Sequence, residues 1–377
     1  MSDKVKKQKI YKAHYLISCR IDNWVRLLRE NKFKVSKDKI PQLLYMLGAS
    51  VLLTPFTLLE SAIYAAPIRR HKMEKDPVFI IGHWRSGTTY LQNLLSKDKQ
   101  FGWCDPVSTT TFCNSYLLKP LVAKIQGNVL KDARPMDNME YKLDLPMEDV
   151  FALNLISTHS IIHLLAFPQN FRHYLKESFT DELPEKSQDE WERATRYVLK
   201  KISLRNKGKQ LMLKSPDHTC HVGHLMKMYP DAKYVNIHRD PYVTIMSTIN
   251  MFKKQMNLIR LNDPPENLDE ILEDAIVELF EHVYTKLFQL MDDDAFKEGA
   301  LVDVPYDKLS AEPEETLKMI YEELGIEGFE EALPAFREHI SSVNNYVKNK
   351  FELQPQLRDK INDKLGFYFE RYGYERR

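Results

Sequence analysis

Between Gly82 and Thr89 the chain gathers groups that can hold an oxyanion: the Arg85 guanidinium, the hydroxyls of Ser86, Thr88 and Thr89, and two glycines, Gly82 and Gly87. A guanidinium donates paired N–H groups to phosphate oxygens, and glycine lets backbone approach a ligand closely. The elements that would position them are legible on either side. Val78, Phe79, Ile80 and Ile81 form an apolar run of the kind that makes a strand buried on both faces. After the loop, Leu91, Leu94 and Leu95 recur at helical spacing. A strand, a glycine-bounded turn and a helix start aim free N–H groups and the helix dipole at one anion.

Two further strand ends carry chemistry. Leu211, Met212 and Leu213 lead into Lys214, Ser215, Pro216, Asp217 and His218. Pro216 stops the strand and leaves Lys214 at its carboxyl end, the edge where open α/β sheets bind ligands. Lys233 to Ile237 read as another strand, followed by His238, Arg239, Asp240, Pro241 and a helix carrying Ser247. From those positions a guanidinium and a hydroxyl can grip one phosphate from two sides. His218, Cys220, His221 and His224 invite a metal reading, but their spacing fits no closed zinc pattern.

Gly82 and Gly87 have the spacing of the ATP-binding loop G-x-x-x-x-G-K-[ST], yet Thr88 stands where the lysine belongs and the cation comes earlier, at Arg85. Such a loop suits a nucleotide with one phosphate and a different transferable group better than a magnesium-bound triphosphate. With its GTT-aromatic ending, the loop closely resembles the 5′-phosphosulfate loop of sulfotransferases that use 3′-phosphoadenosine 5′-phosphosulfate (PAPS). The segment from Leu213 to His218 resembles the LKSPxH motif of many bacterial members, and Arg239 to Pro241 the family's RDP motif, with a serine at the right offset. The turn after Pro305 resembles a YEDL turn. The resemblance spans roughly residues 76–325.

The resemblance implies sulfonyl transfer from PAPS to a small-molecule hydroxyl, with no metal. It implies that Arg85, Ser86, Gly87, Thr88 and Thr89 hold the phosphosulfate, that Arg239 and Ser247 hold the 3′-phosphate, and that Tyr90 and Tyr306 contact the adenine. Lys214 would support the bridging oxygen, and a general base would serve the acceptor. The candidates for the base, in order, are His218, Glu148 and His83. His218 lies two residues further along than the cytosolic Lys-x-His pattern places its base. Glu148 and Asp149 match an acidic pair common in the family at this place, although acidic residues favour the first turn of any helix. The family's late Arg-Lys-Gly contact to the 3′-phosphate is absent, and Arg358 is one candidate replacement.

Composition narrows the class. The 377 residues suit a large α/β domain with helical additions. Lys plus Arg (54) nearly equals Asp plus Glu (53), so no basic surplus points to nucleic acid. The four cysteines form no CxxC pair, as in a reduced, cytoplasmic compartment. The N-terminus is basic at Lys4, Lys6, Lys7 and Lys9, but no apolar core of a secretory signal follows.

Residues 40–59 carry no charge, interrupted by Pro55, closed by Glu60 and followed by Arg69, Arg70 and Lys72. Three readings stand: a membrane-spanning helix, a helix lying on the inner face of a membrane through residues 40–66, and an arm packed on protein. Further helices are expected over 147–166, 188–205, 268–290 and 313–324, the last capped by Ser310 and closed by Gly325, with one more around Leu357 to Phe369.

The expected architecture is α/β, a P-loop-like central parallel sheet flanked by helices. Residues 1–75 form a helical arm, residues 76–377 the sulfotransferase domain, and residues 99–208 an inserted helical cap that builds the acceptor site. The cap's apolar residues (Phe151, Leu153, Leu155, Ile161, Ile162, Leu164, Leu165, Phe167) suit a lipophilic alcohol such as a sterol or lipid, and suit buried packing equally. A small-molecule kinase and a non-catalytic binder of adenosine 3′,5′-bisphosphate remain the alternatives.

Overall fold

The computed structural model describes residues 14–129, 145–342 and 351–377. The basic N-terminal stretch lies outside the described residues. In chain order the main elements are α1 (Ile21–Glu30), α2 (Ile40–Arg70), β1 (Val78–Ile81), α3 (Thr88–Leu95), β2 (Phe101–Gly102), α4 (Ser115–Val129), α5 (Glu185–Arg205) and β3 (Gln210–Lys214). Then follow β4 (Lys233–His238), α6 (Pro241–Ile259), α7 (Leu268–Asp292), β5 (Leu301–Pro305), α8 (Tyr306–Ala311), α9 (Pro313–Glu323), α10 (Phe329–Ser342), α11 (Pro355–Lys364) and α12 (Gly366–Tyr372). Shorter helical turns link them. The chain divides into two compact units, one of Glu74–Gly102, Lys209–Met251 and Asn267–Arg377, the other of the residues up to Met73, Trp103–Gly208 and Phe252–Glu266.

The first unit holds the sheet, in the order β2-β3-β1-β4-β5 with every pairing parallel. β1 lies between β3 and β4, with Ile80 opposite Lys214 on one side and Ile81 opposite Asn236 on the other. The chain therefore leaves β1 where strand order diverges, the place where open parallel sheets bind ligands. Alternation sorts the strand residues onto two covered faces. Val78, Ile80, Met212, Val235, Ile237, Val302 and Val304 share a core with Leu91, Leu94 and Leu95 of α3 and with Leu317 and Ile320 of α9. On the other face Phe79 stacks on Tyr234 at 5.7 Å.

The expected strands are present, and β2 is an addition, too short to leave an apolar signature. Other expectations need correction. The pattern over 147–166 yields only Val150–Leu153 and His163–Ala166. Between them Ser157 Oγ accepts from His159 N at 3.1 Å and Ser160 Oγ from Ile162 N at 3.2 Å. Hydroxyls that take backbone N–H groups compete with the helix. Ser310 lies inside α8 and caps nothing; α9 starts after Glu312 with Pro313 as its first residue. The C-terminal helix is two, broken before Gly366.

In the second unit, neither Pro55 nor Glu60 ends α2, which runs 31 residues. Glu60 is buried. It receives Lys201 Nζ of α5 at 2.5 Å and the N–H groups of Tyr116 and Leu117 at 2.8 and 3.1 Å, so it caps α4 from the side. Leu155, Ile161, Leu164 and Phe167 are fully buried within this unit, so packing accounts for them.

Candidate active site

The loop after β1 is held by backbone geometry that the sequence permits only at glycine. Gly82 has φ 138° and Gly87 φ 112°. A Cβ at Gly82 would stand 2.3 Å from Ile237 O, and one at Gly87 2.3 Å from Tyr306 Cδ2. Arg85, between them, also takes a left-handed φ of 69°, uncommon for a residue with a side chain. Thr219 clamps the first turn: its Oγ1 accepts from Gly82 N at 2.8 Å and donates to Gly82 O at 3.1 Å. Thr248 Oγ1 donates to Trp84 O at 2.9 Å. The loop ends at the start of α3, where Tyr90 N–H turns back to Gly87 O at 3.0 Å and the N–H groups of Thr88 and Thr89 precede any intrahelical acceptor. Beside them Ser86 is buried, and its Oγ has no hydrogen-bond partner among the described residues. A buried hydroxyl left unpaired is costly, and an oxyanion here would satisfy it together with the N–H groups.

Cations flank this loop on both sides. On the β3 side, buried Lys214 donates from Nζ to Thr89 Oγ1 at 3.2 Å. On the β4 side, Arg85 Nε donates to Ser247 Oγ at 3.0 Å, and Arg239 Nη1 reaches Arg85 O at 3.5 Å. The Arg239 guanidinium lies 4.3 Å above the Tyr306 ring. Tyr90 is half-buried against the core. Burial, and then the neighbouring Tyr306, raise its hydroxyl above the ordinary phenol value. Arg85, Gly87, Thr89, Lys214, Arg239, Ser247 and Tyr306 thus meet in one neighbourhood, although they come from four separate elements and two loops.

The three candidate bases differ in setting. His218 follows β3 in the 3-10 turn Pro216–His221, is buried, and meets Phe79 edge-on at 5.1 Å. His83 lies in the loop itself. Its Nδ1 donates to Trp84 O at 3.0 Å, its ring packs 4.8 Å from Phe280, and burial pulls its imidazole down to about 4. Glu148 belongs to the other unit, where its carbonyl accepts from Phe151 N at 3.3 Å ahead of the turn Val150–Leu153. Asp149 beside it is buried. Among the described residues no cluster of histidine, cysteine and carboxylate groups is disposed to hold a metal ion.

The structure adds residues that motif reading missed. Tyr368 OH donates to Arg239 O at 3.0 Å and accepts from Arg239 N at 3.4 Å. Tyr374 OH meets His238 Nδ1 at 2.9 Å, and Arg377 Nη2 pairs with Asp240 Oδ2 at 2.6 Å. The chain's end is therefore folded onto the segment that carries Arg239. Arg358, the candidate from sequence, pairs instead with Asp359 at 2.7 Å. Only the density of tyrosines near the C-terminus hinted at this role.

Comparison with known proteins agrees with the geometry. Curated sulfotransferases of Mycobacterium bovis and Mycobacterium tuberculosis, both named omega-hydroxy-beta-dihydromenaquinone-9 sulfotransferase Stf3, are 27% identical over 379 residues, covering 100% of this chain and 95% of theirs. Among solved structures, sulfotransferase STF9 of Mycobacterium avium superposes with a TM-score of 0.67 at 16% identity, covering 95% of this chain and 97% of that one. Sulfotransferase STF1 of Mycobacterium tuberculosis gives 0.57 at 20% identity, with 86% of each chain covered. These two likenesses speak for the fold. The sulfotransferase family itself matches residues 77–331, from the start of β1 into α10 and through every loop described above, and the chain belongs to that family of transferases.

Proposed function

We propose that this sulfotransferase takes its sulfonyl group from PAPS and delivers it to the hydroxyl of a lipophilic acceptor. The observation that carries the reading is the pair of cationic groupings on either side of one loop, Lys214 with Thr89 and Arg239 with Arg85 and Ser247. They suit a ligand with two separate anionic ends. Arg239 and Ser247 would take the 3′-phosphate, with Tyr306 and Tyr90 against the base. Ser86, Thr88, the first-turn N–H groups and Arg85 would take the 5′ end. The nucleotide supplies the sulfonyl group and leaves as adenosine 3′,5′-bisphosphate.

In-line transfer spreads negative charge over the sulfonyl oxygens and the leaving oxygen, and donors fixed in advance stabilise it most. Lys214, buried and steadied by Thr89, fits that task. His218 is the first candidate to take the acceptor's proton, with Glu148 second. His83 ranks last because an imidazole lowered to about 4 binds a proton weakly. The lipophilic acceptor rests on the mycobacterial relatives, whose name specifies a hydroxylated menaquinone derivative.

Incubation with labelled PAPS and alcohols of increasing chain length tests the reading, with labelled sulfate ester expected on the long-chain members. Labelled product from ATP and magnesium instead would make the chain a kinase. Tight binding of adenosine 3′,5′-bisphosphate without transfer to any alcohol would favour a binder.

A further inference from the structure

Helix α2 is built inside out. The residues it turns toward its own unit include Gln42, Ser50 and Glu60, together with Met46 and Ile68. Ser50 Oγ accepts from Trp24 Nε1 at 3.1 Å, Thr57 Oγ1 from Asn114 Nδ2 at 3.4 Å, and Glu60 from Lys201 at 2.5 Å. The opposite side is apolar and exposed. Leu44 is 62% exposed, Val51 59%, Leu52 75%, Leu58 65%, Leu59 52% and Ile63 49%. At about 100° per residue these positions fall on one arc, and Gly48, Pro55, Ala62 and Ala66 fill it without a charge. In water a surface helix shows the reverse pattern, and an exposed stripe of this length marks an interaction site.

Charge identifies the occupant. Exposed Lys37 stands before the apolar arc, and exposed Arg69, Arg70 and Lys72 follow it; Asp38 is held by Lys39 at 3.6 Å. Just ahead, the turn at Lys32 and Phe33 adopts left-handed φ of 52° and 55° and leaves Phe33 65% exposed between Lys32 and Lys34. An apolar stripe with basic ends and an aromatic among lysines is the chemistry of a helix lying in an anionic lipid surface. By length and composition the segment Lys37–Arg70, 34 residues that include an 18-residue stretch of mean hydropathy 1.6, could also cross a bilayer. Its polar contacts argue otherwise. Ser50, Thr57 and Glu60 fasten the helix to its unit, and crossing would tear the Glu60–Lys201 pair out of its hydrogen bonds into hydrocarbon. At about 1.5 Å per residue the helix is also some 46 Å long, well beyond a hydrocarbon core of about 30 Å.

We propose that the outward face of α2, with Phe33, is a monotopic docking surface for a bilayer containing anionic lipid. The inference is independent of the sulfonyl chemistry proposed above. Flotation of the full chain with phosphatidylcholine vesicles, with and without phosphatidylglycerol, tests it without nucleotide or turnover. The protein should float with the anionic vesicles and be released by salt. The triple variant Leu44→Gln, Leu52→Gln, Leu58→Gln should lose roughly ten-fold or more of that binding while its circular dichroism and nucleotide affinity hold. If that variant misfolds, Leu52→Trp keeps the face apolar, and its fluorescence should shift to the blue on the vesicles. Failure of the native chain to float would overturn the proposal, as would an unshifted tryptophan. So would a dimer that dissociates on the triple substitution, since the face would then belong to a second copy.

Discussion

Arg239 stacks its guanidinium over the Tyr306 ring at 4.3 Å, while the Tyr306 ring edge occupies the space that a side chain at position 87 would need. One tyrosine therefore joins the loop after β1 to the residue that follows β4, and the spacing between Gly87 and the Arg239 guanidinium is set through it.

Arg239→Ala should weaken binding of adenosine 3′,5′-bisphosphate by roughly 10- to 100-fold, the range for losing a charge-assisted hydrogen bond. Titration calorimetry measures this, and unchanged affinity would remove the 3′-phosphate assignment. Tyr368→Phe, which deletes the hydroxyl bonded to both backbone groups of Arg239, should cost about 5-fold in the same assay.

His218→Ala should lower turnover on the order of 100-fold and leave nucleotide affinity nearly intact. Single-turnover kinetics beside calorimetry separates the two quantities. If turnover survives while Glu148→Gln abolishes it, the acid pair supplies the base.

Gly87→Ala should be among the most damaging single-methyl additions in the chain. The new Cβ would stand 2.3 Å from Tyr306 at a φ of 112°, and the backbone term alone costs about 1–2 kcal/mol. In a Tyr306→Ala background, Gly87→Ala should cost only the backbone part, since the steric clash is gone. No further loss of thermal stability in that background would show that φ strain contributes nothing.

Removing one member of the buried Glu60–Lys201 pair should destabilise unequally. Burial lowers the Lys201 pKa, with Glu60 opposing the shift. Glu60→Ala leaves that ammonium in the interior and uncaps α4, so a loss of about 3–5 kcal/mol is expected. Lys201→Met should cost less, because Glu60 keeps the N–H groups of Tyr116 and Leu117. Urea unfolding ranks the two, and the reverse order would contradict this account.

Acid should unfold the protein before its carboxylates titrate. Burial lowers His14, His83, His163 and His238 to about 4, from 6.5. The unfolded chain then binds more protons than the folded one between those values, so stability is complete above about 6.5 and falls as pH drops toward 4. The urea midpoint should fall between about pH 7.5 and about pH 5, with a shallower slope in His163→Gln. A flat midpoint would mean that these imidazoles are protonated in the folded state.

The four main strands, the glycine-bounded loop after β1 and the residues at three strand ends were legible in the sequence, because each rests on local rules. Apolar runs make buried strands, glycines permit the turn, and Pro216 and Pro241 mark where an element stops or starts. Local rules also misled. The serines that break the pattern over 147–166 look harmless until their hydroxyls take backbone N–H groups, and Glu60 looks like a helix end until Lys201 arrives from α5. The folded chain alone shows that Tyr306 fits against Gly87, that Thr219 clamps Gly82, and that the last tyrosines and Arg377 fold back on the Arg239 segment. Each of these contacts joins residues far apart in the chain. Their energy comes from packing and hydrogen bonds between elements, which no short window of sequence contains.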